Sequence, residues 1–159
     1  MINLLSMTYK KIYLNKILIL CMLLVISCEE ASEPIDCVET VRQNGITFVD
    51  DKKFTGQCYI YAVDGKIVRL NSYKRGKPSG VHKAWYHPTG ILAYEGSRKN
   101  GEIHGKYVGY HENGAIQAEG KLKKGFYVGK WKYYNDKGEL FLEKRFINGK
   151  AVDSTYINK

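Results

Sequence analysis

Sixteen glycines punctuate this chain, and most of them fall into columns. Gly65, Gly90, Gly114 and Gly138 are spaced by 25, 24 and 24 residues. Gly56, Gly80, Gly105 and Gly129 follow at 24, 25 and 24, and Gly76, Gly101, Gly125 and Gly149 at 25, 24 and 24. Three columns in one register identify an array whose unit is about 24 residues long. Each unit holds two strand-length runs, clearest over residues 125–146. The runs are separated by turn dipeptides such as Asp64-Gly65, Asn100-Gly101, Asn113-Gly114 and Asn148-Gly149, which supply the positive φ of tight hairpin connections. An isolated hairpin is marginal in water, so successive hairpins must stack and bury a shared face. No segment carries a capped helical period. The expected fold is all-β: about four stacked antiparallel hairpins in an elongated single sheet or solenoid.

Side-chain columns ride on this register. Ile67, Leu92, Ile116 and Leu140 stand two residues after the inner glycine, and Arg69, Tyr94, Ala118 and Leu142 stand four after it. A period of two assigns both sets to one core face, with Leu70, Glu95, Glu119 and Glu143 on the outside. Tyr61, Tyr86, Tyr110 and Tyr134 lie four before the glycine, and Cys58, Tyr107 and Trp131 seven before it. Their parities differ, so they share a face only across a bulge or bend. The unit of Trp85 has one extra residue between Gly80 and Gly90, and the distortion is expected there.

The repeat is preceded by an export segment. Residues 1–27 carry Lys10, Lys11 and Lys16, no acid, and the apolar run from Ile17 to Ile26. Ten residues span only about 15 Å as a helix, half a bilayer core, which fits a signal peptide and not a membrane span. The run closes on Val25-Ile26-Ser27-Cys28, which resembles the bacterial lipobox, and implies that Cys28 is lipidated and becomes the anchor. Residues 28–36, with Glu29, Glu30, Glu33 and Asp36, read as an acidic tether, and residues 37–159 as the repeat domain. The acidic cluster resembles a surface-export signal, so the expected location is the cell envelope, at the outer membrane and surface-exposed.

From Cys37 onward 22 bases face 12 acids. Nucleic acid is the usual partner of such a charge, but an exported anchored protein meets little of it. An acidic protein, or anionic lipid headgroups met by lysines such as Lys121, Lys123, Lys124, Lys130 and Lys132, fits the compartment better.

The pattern Gly-x-x-x-Gly-x-Trp-x-x-Tyr-x-x-x-Gly, complete at Gly125, Gly129, Trp131, Tyr134 and Gly138, resembles the bacterial variant of the MORN repeat found in YwqK-type antitoxins. The resemblance covers about residues 45–150. It implies stacked hairpins that bind a partner protein, with an antitoxin or immunity-like role, no catalytic site and no cofactor. Cys58 stands where the pattern has an aromatic, and Arg98 interrupts the apolar column of Tyr73, Leu122 and Phe146. The export segment argues against a cytoplasmic toxin as target.

Individual residues add little chemistry. In an oxidising envelope Cys37 and Cys58 either pair or leave a buried thiol at Cys58. His82, His87, His104 and His111 fit no zinc spacing, so no metal is expected. No nucleophile elbow, zinc-protease helix or phosphate loop is present, and acids that recur with the unit behave as a structural column. The chain is therefore expected not to be an enzyme. The candidate binding residues are Tyr61, Tyr86, Tyr110 and Tyr134, which form either a stacking ladder for a ligand or packing between hairpins.

Overall fold

The computed structural model describes residues 33–157. The expected signal peptide 1–27 and the lipid-bearing Cys28 lie outside them. The elements run β1 (Ile35–Asp36), a 3-10 turn at Cys37–Glu39, β2 (Val41–Gln43), β3 (Ile46–Val49), β4 (Lys52–Lys53), β5 (Gly56–Tyr61) and β6 (Ile67–Lys74). They continue as β7 (Lys77–Trp85), β8 (Leu92–Lys99), β9 (Glu102–Tyr110), β10 (Ile116–Lys123), β11 (Phe126–Tyr134), β12 (Leu140–Ile147) and β13 (Lys150–Tyr156). Ten strands form one open sheet in the order β1-β5-β6-β7-β8-β9-β10-β11-β12-β13, and β2-β3-β4 form a small second sheet. From β5 onward each strand pairs antiparallel with its neighbour in sequence. The fold is thus the expected all-β array of four hairpins in a long sheet, without α-helix among the described residues and without barrel closure. One boundary moves: Ile35 and Asp36, assigned to the tether, form β1 and pair parallel with β5.

The outer glycine column has two roles. Arg75-Gly76, Asn100-Gly101, Lys124-Gly125 and Asn148-Gly149 all have positive φ at both residues, as type I′ turns require. The second residue's N–H then donates to a carbonyl one unit back: Gly76 to Phe54, Gly101 to Pro78, Gly125 to Ile103 and Gly149 to Tyr127, at 2.7–2.9 Å. Arg75 and Lys124 hold φ of 51° and 52°, a region that costs a long side chain more than it costs Asn. Lys124→Asn is therefore expected to stabilise the fold by about 0.5–1 kcal/mol, read as a higher urea midpoint at unchanged slope.

The hairpin tips correct the expected faces. Tyr61 pairs with Ile67 while Ile60 pairs with Arg69, and the same skip recurs in the next three units. Val68, Ala93, Gln117 and Phe141 are the extra residues of four equivalent β-bulges. Ile67, Leu92, Ile116 and Leu140 therefore do not share a face with Arg69, Tyr94, Ala118 and Leu142, and Ile67 and Ile116 are exposed. The additional residue of the second unit sits elsewhere, in the loop 86–91, because Trp85 pairs with Leu92. Trp85, not Tyr86, occupies the register position of Tyr61, Tyr110 and Tyr134.

Counted from Gly56, Gly80, Gly105 and Gly129, one face carries Cys58, His82, Tyr107 and Trp131, two residues on. Rings follow one another across the units on this aromatic face: His82 to Tyr94 at 5.5 Å, Tyr94 to Tyr107 at 5.8 Å and Tyr107 to Trp131 at 5.9 Å. Trp131 is 2% exposed, and its indole N–H donates to the Lys121 carbonyl at 3.1 Å. Gly96 and Gly120 provide the room, since a methyl at Gly96 would lie 3.0 Å from the His82 ring and one at Gly120 would collide with the Trp131 indole. At the N-terminal end Cys37 is disulfide-bonded to Cys58, and the small sheet covers the first outer turn, where Thr47 N–H donates to Gly76 O. At the other end every residue of β13 is exposed.

Candidate binding surface

Tyr110 and Tyr134 project from the opposite, charged face onto the acid column. The Tyr134 hydroxyl donates to Glu119 at 2.8 Å and that of Tyr110 to Glu95 at 3.3 Å, each reaching back one unit. Burial first, then Glu119, pushes the Tyr134 hydroxyl up to about 12, and burial with Glu95 raises Tyr110 likewise. Both stay protonated donors at neutral pH. The acids, read from parity as merely external, receive these hydroxyls. The first unit departs in a matched pair: the acid position holds Leu70 and the tyrosine position Trp85, so neither partner is left over. Leu70 is buried, not external, with Tyr59 and Lys83 as its register partners. Tyr61 is 41% exposed.

Tyr86 opens its loop where His111 opens the next. The Tyr86 hydroxyl donates to Tyr110 O at 2.8 Å, and His111 Nε2 reaches Tyr134 O at 2.9 Å. Lys66 donates to Pro88 O, and Asn113 to Asp136 O, in the same unit-to-unit sense. Three of the four candidate tyrosines thus spend their hydroxyls on stitching adjacent hairpins.

His82 is the member of the aromatic column that counting from the inner glycine overlooked. It is 3% exposed, its Nδ1 has no partner, and the half-buried Arg98 leaves its Nε unpartnered too. Burial foremost, then the Arg98 charge, lowers its pKa, so the ring is neutral in the folded chain. The unfolded chain takes up a proton near pH 6.5 that the folded chain refuses until lower pH. Stability from this site is complete above pH 6.5 and is expected to decline as pH falls below it. Urea titrations of the parent and of His82→Phe should diverge in that window, and parallel curves would contradict the assignment. Among the described residues no group of three or more His, Cys, Asp or Glu is placed to hold a metal.

A groove of about 480 Å³ at the tips of the first two hairpins is lined by Tyr61, Ile67, Trp85 and Pro88, and two further surfaces are open on the last two hairpins and β13. On the aromatic face Tyr127 and Tyr156 are 43% and 69% exposed, and on the opposite face, across from Lys123 and Lys150, Phe126 and Ile147 are 58% and 56% exposed. Tyr127 packs 4.4 Å from Trp131 and 5.2 Å from Phe146, so its exposed ring continues the buried ring series outward. On the charged face a groove of about 440 Å³ is lined by Lys106, Lys121, Lys130, Lys132, Glu119 and Val128, with Gly120 and Gly129. The exposure of Phe126 and Tyr127 has no signal in the sequence, where they look like ordinary strand residues.

No family model matches the chain, and no curated protein does. Among solved structures, a crystal structure of a mutant of S. aureus TarM in complex with Fondaparinux, alpha-GlcNAc-glycerol and UDP is similar at a TM-score of 0.37 and 10% identity. The match covers 71% of this chain and 21% of that one. Among the described residues no helix is long and apolar enough to cross a membrane.

Proposed function

We propose that the chain is an envelope lipoprotein, anchored through Cys28, whose MORN-variant hairpin array binds another protein and performs no catalysis. The observation that carries this reading is the concentration of exposed apolar side chains at the β13 end of the sheet, Tyr127 and Tyr156 on the aromatic face and Phe126 and Ile147 on the other. Exposed aromatic and aliphatic side chains concentrated beside a well-packed Trp are features of a protein interface. The opposite end is tied by a disulfide and carries a second sheet. The position of Cys28 after an apolar run supports the anchor, and an antitoxin or immunity-like role follows only from the repeat's resemblance.

The test is capture from envelope extract at low and high salt, with parent and Phe126→Ser/Tyr127→Ser chains. A partner held through these side chains survives high ionic strength and is lost with the double substitution. Capture that collapses with salt and ignores the substitution would instead favour attachment to anionic headgroups through the lysines.

A further inference from the structure

The lysine groove departs from the repeat that builds it. A second groove one unit earlier is lined by Val81, Glu95, Gly96, Ser97, Lys106 and Val108. Each of these has its counterpart 24 or 25 residues on: Lys106, Glu119, Gly120, Lys121, Lys130 and Lys132. The glutamate, the glycine and one lysine are kept. Val81, Ser97 and Val108 become Lys106, Lys121 and Lys132. Residues that recur with the unit serve the unit, whereas three cations gathered at one site only do not.

The fold gives up stability to hold Lys106 and Lys121 there, while Lys132 stands between Glu119 and Glu143 in the register. Lys106 and Lys121 are direct cross-strand partners, where the earlier groove pairs Val81 with Ser97. Like charges directly opposite one another destabilise a sheet. Among the described residues no carboxylate lies within ion-pair distance of Lys106, Lys121 or Lys132, while Lys130 is bound to Glu143 at 2.9 Å. In the next hairpin Lys130 pairs with Arg145, so cations stand on four successive strands, β9 to β12. At about 4.8 Å per strand the row is about 14 Å long.

Resting on the protein-binding reading above, we propose that this row takes an extended acidic segment of the partner protein, lying across strands β9 to β12 with its carboxylates on alternate residues. Alternate residues of an extended chain lie about 6.7 Å apart, within the reach of flexible lysines set one strand apart. Its neutral side chains meet Val128 and the bare backbone at Gly120 and Gly129. Glu119 and Glu143, on this same face, repel a ligand whose charge is dense and continuous and tolerate one whose charges alternate. Phe126 and Ile147 lie on the groove's own face and Tyr127 on the other, so one partner engages the groove together with the apolar side chains beside it.

The repeat supplies the control, because Lys106→Val/Lys121→Ser/Lys132→Val installs the residues that the earlier groove already holds. The full chain, in detergent, is titrated with a labelled eight-residue peptide alternating Glu and Thr, with the same peptide carrying Gln for Glu, with inorganic tripolyphosphate and with anionic phospholipid vesicles. The Glu peptide is expected to bind, to weaken with salt, and to lose about tenfold or more in affinity on the triple variant. The triple variant is expected to melt at or above the parent temperature. Equal binding of the Gln peptide, preference for tripolyphosphate or vesicles, or an unchanged affinity in the triple variant overturns the proposal. Envelope capture separates the two readings: a partner that the triple variant holds as tightly as the parent does refutes the groove alone. No partner with either chain refutes protein binding itself.

Discussion

Gly120→Ala is expected to be among the most damaging single substitutions in the chain, although it adds one methyl group. That methyl would enter the Trp131 indole, which is 2% exposed and fixed by its bond to Lys121 O. Overfilling a packed site costs about 1–3 kcal/mol and more where the neighbour cannot move. Trp131 is hemmed by Tyr107, Tyr127, Tyr133 and Phe146, so the upper end applies. Trp131→Ala should cost about 3–5 kcal/mol by leaving the cavity instead. The pair identifies the cause: in Trp131→Leu the further change Gly120→Ala should be far milder than in the parent, a coupling that urea denaturation of the double-mutant cycle measures. Additive losses would mean that Gly120 is needed for a reason other than the indole.

The second large effect lies at the other end of the array. The Cys37–Cys58 bond closes a separation of 21 residues and ties the 3-10 turn to β5. On the chain-entropy account such a loop is worth about 3 kcal/mol. Cys37→Ser should lower stability by that amount and expose Cys58, which is fully buried, to thiol reagents only on unfolding. A small loss would mean that β1 and the small sheet hold this end without the bond.

The repeat was legible because glycine has a backbone role that no other residue fills, so its spacing survives on the surface of the sequence. The faces were less so. A bulge at every tip breaks the period of two between Ile116 and Ala118, and nothing in their side chains announces it. Counting back from Gly90 puts Tyr86 in the tyrosine column, because that count passes through the lengthened loop. Counting forward from Gly80 avoids the loop and finds His82 beside Tyr107 and Trp131. The acids Glu95 and Glu119 were visible as a column, but their bonds to Tyr110 and Tyr134 run between units and have no local signature. The lysine groove is of the same kind: Lys106, Lys121 and Lys132 look scattered in the chain and meet only through sheet register.

Partner binding belongs to the last two hairpins, and the first hairpin serves structure. Hydroxyl-radical footprinting of the full chain, alone and with the partner captured from envelope extract, reads this residue by residue. The expected result is protection of Phe126, Tyr127, Ile147 and Tyr156, with the oxidation of Tyr59 and Tyr61 unchanged. Protection centred on Tyr59 and Tyr61, or a bound partner that protects none of these residues, would contradict it.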